Sequence, residues 1–192
     1  MLRFILVRPG STEYDEQGRI KGRLDVPLSR SGVDQAAKAA SELCPLAIDA
    51  VYCSPCQPAV ETAEEIGKQA KVKVRRLEKL QNLDQGLWQG KLIEEVRQTQ
   101  PKVYRRWVED PDTVCPPNGE MISEARKRIR QALEKVLKRH RSGAVVLVTP
   151  EPLASLVKSY LTASELGDLW KAECEQGQWE VFELRHEPVV VS

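Results

Sequence analysis

Two unbroken apolar runs constrain this chain most: Phe4-Ile5-Leu6-Val7 near one end and Ala144-Val145-Val146-Leu147-Val148 near the other. A strand with one wet face alternates apolar and polar residues. A run without a polar break is buried on both faces, as parallel strands are inside an α/β sheet. Each run stops abruptly, the first at Arg8-Pro9-Gly10 and the second at Thr149-Pro150-Glu151-Pro152. In such sheets ligands bind in the loops beyond the carboxyl ends of the strands. The first loop is rich in charge and hydroxyls, with Ser11, Thr12, Glu13, Asp15, Arg19, Lys21 and Arg23.

The stretches between the runs read as alternating helices and strands. Ser31 is placed to cap a helix, with Asp34 three residues on. Its inward stripe is Val33, Ala36, Ala37, Ala40 and Leu43, and Pro45 ends it. Ile48 to Cys53 reads as a strand. A helix follows over about 57–70 with Val60, Ala63 and Ile66 inward, then a short strand from Val72 to Val74. A long amphipathic helix is predicted over about 120–140, a helix over about 153–161, and a last strand from Trp179 to Leu184.

The 192 residues are enough for one domain with a real core. A net charge of +1 argues against a nucleic-acid or membrane-surface partner. The apolar runs are too short to span a bilayer, and no targeting segment precedes the first strand, so a cytoplasmic location is the expectation. Five cysteines, an odd number at scattered spacings, do not form a disulfide framework. The two histidines are His140 and His186.

The opening stretch resembles the signature of the histidine phosphatase superfamily, the phosphoglycerate-mutase-like phosphatases and mutases. Arg8, Gly10, Thr12, Gly18, Arg19, Gly22, Asp25, Pro27, Leu28, Ser29, Gly32, Gln35 and Ala36 carry the match. Ser54-Pro55, Ala59 and Thr62-Ala63 resemble a second motif, and Gly86, Trp88 and Gly90 a third. The resemblance implies one α/β domain over 1–192, a three-layer sandwich. Its central sheet would be mostly parallel with helices on both faces, and a small helical insertion over about 91–118 would cover the cleft.

Enzymes of this family are understood to move a phosphoryl group onto a first histidine. A second histidine and two arginines hold the phosphate, and a carboxylic acid protonates the leaving oxygen. Carried over residue by residue, the first histidine falls on Pro9, the second on Pro150, the second arginine on Pro58 and the proton donor on Asn82. The early phosphate-contacting asparagine falls on Asp15, and only Arg8 is kept. Glu151 replaces a glycine at or near a helix N-terminus, where its carboxylate would occupy the niche for an oxyanion. Like charges about 4 Å apart cost on the order of 4 kcal/mol at an effective dielectric of ~20.

These substitutions predict a protein that is not an enzyme, a degenerate phosphate pocket of Arg8, Asp15, Arg19, Lys21, Pro58 and Glu151 kept for binding or structure. Arg19, Lys21 and Arg23 are expected to be solvated on the rim. No cofactor and no resident metal are expected. The partner is then an unidentified protein or small molecule, and a homodimer is compatible with the sequence. Two alternatives stay open. One is different chemistry in the same cleft, using a cation held by Glu13, Asp15, Asp84 and Glu151 or the thiols of Cys53 and Cys56. The other is the phosphatase or mutase that homology alone suggests.

Overall fold

The computed structural model of the chain describes residues 1–173 and 176–184. Its centre is a five-stranded sheet in the order β3-β2-β4-β1-β5. The two apolar runs form β1 (Leu2–Val7) and β4 (Gly143–Val148), which pair in parallel. Their register sets Val7 opposite Val148, so both strands end together and their loops lie side by side. On one side β4 pairs in parallel with β2 (Ala50–Cys53), which pairs in parallel with β3 (Val74–Arg76). On the other, β5 (Trp179–Leu184) runs antiparallel to β1 as an edge strand.

Side chains alternate across the sheet, which makes two cores. Ile5, Val7, Val51, Val146 and Val148 pack against α2 (Arg30–Leu43) and α3 (Gln57–Ala70). Phe4, Leu6, Tyr52, Val145 and Leu147 pack against α6 (Ile122–Arg139) and α7 (Leu153–Thr162). Each fully buried Leu, Val or Phe contributes about 1.5–3 kcal/mol of transfer free energy. This is the expected three-layer sandwich. The 91–118 stretch holds α4 (Ile93–Thr99), α5 (Pro101–Glu109) and a 3-10 turn over Pro111–Thr113. Two single-turn helices remain, α1 (Glu13–Glu16) and α8 (Leu169–Ala172).

Two local expectations are corrected. The cap of α2 is Ser29, whose Oγ accepts from Gly32 N at 3.1 Å, while Ser31 donates to Glu16. Val33 and Ala37 then point outward, and Gly32 and Ala39 are buried instead. Close backbone contact decides this rotation. A Cβ on Gly32 would stand 2.0 Å from the Ser11 carbonyl oxygen, and one on Gly10 would stand 2.1 Å from that of Gly32. Only glycine lets the β1 loop and the helix touch there, so Gly32 must face inward and Val33 cannot. Similarly, β3 begins at Val74 because Val72 N donates to Gly67 O at 2.9 Å, closing the end of α3. No helix among the described residues is long and apolar enough to cross a membrane. His186 lies outside the described residues.

Candidate active site

Arg8 directly follows Val7, so strand alternation turns its side chain toward the α6 and α7 face. It is buried. Its Nε donates to Glu151 Oε1 at 2.7 Å and its Nη1 to Glu180 Oε1 at 2.9 Å. Glu151 Oε2 also accepts from Ser155 N at 3.0 Å and Ser155 Oγ at 2.8 Å, in the first turn of α7. A guanidinium and a helix N-terminus therefore converge on one point, the arrangement that binds oxyanions. The chain's own carboxylate fills that point. Burial pushes the Glu151 carboxyl above its usual range, against the pull of Arg8 and Ser155. Burial also opposes the Arg8 charge, but Glu151 and Glu180 outweigh it and hold its pKa above the ordinary arginine value.

Pro9, Pro150 and Asn82 adjoin this pair along the chain or by hydrogen bond, and Pro58 stands at the start of α3. Pro9 and Pro150 are buried, and their carbonyls accept from Gly177 N at 2.8 Å and Ala154 N at 2.9 Å. Pro58 is buried in the first turn of α3, where a missing N–H is tolerated. Asn82 is buried and fully engaged. Its Nδ2 donates to Gly22 O and Glu151 O, both at 3.0 Å, and its Oδ1 accepts from Leu83 N at 2.9 Å. It ties the first loop to the β4 loop.

Lys21 corrects the expectation of a solvated rim: it is buried and ion-paired with Asp15. Asp15 is held because its Oδ2 accepts from Thr12 N at 2.7 Å and Thr12 Oγ1 at 2.8 Å, in the cap of α1. It therefore faces its own loop and a lysine. Arg19 is half-buried and donates to Gly90 O at 2.7 Å. Arg23 remains on the rim, partly exposed, near Asp84 at 3.4 Å and Glu120 at 3.5 Å.

Of the different chemistries, neither the cation site nor the activated thiol assembles among the described residues. Glu13 is exposed, Asp84 accepts from Gly86 N at 2.9 Å, and Asp15 and Glu151 are held by Lys21 and Arg8. Among the described residues no three His, Cys, Asp or Glu side chains group as a metal-ligand set. Burial raises the Cys53 thiol to about 12 and the Cys56 thiol to about 11, the direction opposite to activation. His140 is engaged with the Tyr52 hydroxyl at 2.8 Å.

Several residues of the site carried no motif. Glu180 reaches Arg8 because it stands opposite Leu6 in the β1–β5 register, and it also accepts from Lys158 at 2.6 Å. Arg8, Ser155, Lys158 and Lys171 share an open cavity of ≈ 290 Å³. Glu173 is buried beside Lys21 and Gln85, and burial raises its carboxyl to about 7.

The family model described as histidine phosphatase superfamily (branch 1) matches residues 4–192. The chain belongs to that superfamily. It is 32% identical over 191 residues to phosphoserine phosphatase 1 of Hydrogenobacter thermophilus, covering 100% of this chain and 90% of that one. A mycobacterial glucosyl-3-phosphoglycerate phosphatase solved with VO3 superposes with a TM-score of 0.83 at 24% identity, over 93% of this chain and 91% of that one. A mutant phosphoserine phosphatase of Entamoeba histolytica in complex with phosphoserine gives a TM-score of 0.81 at 24% identity, over 100% and 96% of the two chains. The curated relatives that bear phosphatase names, the Hydrogenobacter protein first, overturn the expectation of a non-enzyme: they point to an enzyme. That expectation rested on side chains lost at four positions, and lost side chains do not by themselves exclude turnover by another route.

Proposed function

We propose that this superfamily member hydrolyses phosphate monoesters at the carboxyl ends of β1 and β4, by a route without a phosphohistidine. The observation that carries the reading is the buried Arg8 guanidinium, which already holds an oxyanion, the Glu151 carboxylate, against the first turn of α7. Phosphoryl transfer asks mainly for positioning and charge stabilisation. Proline at position 9 offers no nucleophile, so water attacks phosphorus directly. The new O–P bond forms as the ester P–O bond breaks, and a water proton ends on the departing alkoxide. A substrate phosphate reaches Arg8 by displacing Glu151. Burial raises the Glu151 pKa, so acid favours the neutral carboxyl that releases the guanidinium.

Phosphoserine is the first substrate to test, since the Hydrogenobacter relative is named for it. The Entamoeba complex is of a histidine-to-alanine mutant, so this fold retains a phosphomonoester after losing a histidine. Phosphate release from O-phospho-L-serine and p-nitrophenyl phosphate is to be measured near pH 5 and near pH 7.5. The wild type is expected to be faster in acid. Glu151→Gln, which removes the charge and keeps the shape, is expected to bring the neutral rate up to the acid rate. No release by either protein, or an unchanged pH profile in Glu151→Gln, would overturn the proposal.

A further inference from the structure

Buried polar groups in folded chains nearly always find hydrogen-bond partners. Among the described residues four side chains leave buried polar atoms outside close hydrogen-bond geometry: both amide atoms of Gln85, both carboxylate oxygens of Glu173, and the indole N–H groups of Trp88 and Trp107. They lie together. Trp88 N donates to Gln85 O at 3.0 Å, within one 3-10 turn. Trp88 and Trp107 pack edge to face with centroids 5.7 Å apart, and Trp170 lies 5.6 and 5.9 Å from them. Glu173 follows Trp170 by three residues at the end of α8, and its N donates to Leu169 O at 3.1 Å. Burial opposes the Glu173 charge, the Lys21 ammonium nearby and a long hydrogen bond from the Gln85 amide offset it only in part, and Glu151 repels it.

The charges nearby are already matched in pairs. Asp15 holds Lys21, and Glu151 and Glu180 share Arg8, with Lys158 also on Glu180. Glu173 has no hydrogen-bonding cation of its own among the described residues. A buried carboxylate left without a donor is costly, and the group that relieves it best is a charged N–H. Among the described residues no third ligating side chain is grouped there for a metal.

We infer that Gln85 and Glu173 form a subsite for the protonated amine of an amino-bearing phosphate monoester, the ammonium donating to the Glu173 carboxylate and the Gln85 Oε1. This rests on the phosphomonoester reading above for the other end of the molecule. The subsite is closed in this structure, since Glu173 is 3% exposed. Occupancy therefore requires α8 to move, and Trp170, packed on Trp88 and Trp107, makes tryptophan fluorescence the readout of that movement.

Binding is to be measured by calorimetry and intrinsic tryptophan fluorescence near pH 7.5 in a Glu151→Gln background, which frees Arg8 from its carboxylate at that pH. The probes are O-phosphoethanolamine, methyl phosphate and ethanolamine, against that parent and the parent carrying Glu173→Gln or Gln85→Leu. O-Phosphoethanolamine is expected to bind about tenfold or more tighter than methyl phosphate, an advantage that a single charge-assisted hydrogen bond supplies. Both variants lose that advantage. Equal affinity for the two phosphates, or an advantage that survives in Glu173→Gln, overturns the subsite and leaves the phosphomonoester reading standing. Ethanolamine binding that depends on Glu173, with no affinity for either phosphate compound, supports the subsite and overturns that reading. Silence with every probe overturns both, and ordered water then satisfies these groups.

Discussion

Replacing Glu173 by Gln should make the protein more stable, and only where the carboxyl would be ionised. In the folded chain burial raises this group from 4.5 to about 7, with Lys21 and Gln85 offsetting part of the effect. The folded state therefore holds a proton that the unfolded state has released between those values. The sign follows from linkage: stability is lost as pH rises through this window, because the unfolded chain gains the ionised form first. A shift of that size corresponds to about 3 kcal/mol at pH 8 and under about 1 kcal/mol at pH 5. Glutamine keeps the shape and cannot ionise, so the variant escapes the penalty. Urea unfolding of both proteins at pH 5, 6, 7 and 8 isolates the effect, since titrating groups that do not interact with Glu173 cancel in the difference. The variant should gain about 2 to 3 kcal/mol over the wild type between pH 5 and pH 8. Parallel stability curves would refute the claim that burial outweighs Lys21 and Gln85 at the Glu173 carboxyl.

Arg8→Met should lower stability by about 3 kcal/mol or more at pH 8, because it leaves the Glu151 carboxylate buried without a cation. The loss should shrink near pH 5 as Glu151 takes up a proton, and a pH-independent loss in urea titrations would contradict this. Gly10→Ala should cost about 2 kcal/mol or more, since its Cβ would meet the Gly32 backbone 2.1 Å away. Gly18→Ala, with φ +68° and open space around it, should cost only about 1 kcal/mol, and equal thermal midpoints for the two variants would contradict the distinction. Cys53 should resist alkylation by iodoacetamide at neutral pH while exposed Cys44 and Cys115 react, and peptide mapping that finds Cys53 labelled in the native protein would contradict its raised pKa.

The candidate site was legible in part. Arg8, Glu151 and Asn82 stood out in the sequence, and the structure brings all three together. Lys21 was misplaced because a lysine in a charged loop is usually wet. Here Asp15, fixed by the α1 cap, draws it inside. Glu180 and Glu173 had no motif to announce them. One is selected by an antiparallel register and the other by the packing of a single helical turn, through Trp170, against Trp88 and Trp107.

What the sequence determined by itself was the frame. Two apolar runs demanded a sheet buried on both faces, prolines and glycines marked where its strands stop, and helical stripes supplied the outer layers. Such patterns are local, with periods of two and 3.6 residues, so they survive without knowledge of the neighbours. The tertiary structure alone decided which charges meet. The Arg8–Glu151 pair spans 143 positions of chain. Whether a buried ion has a cation or anion in contact, like Lys21, or only nearby, like Glu173, depends on distances across the fold that no local pattern encodes.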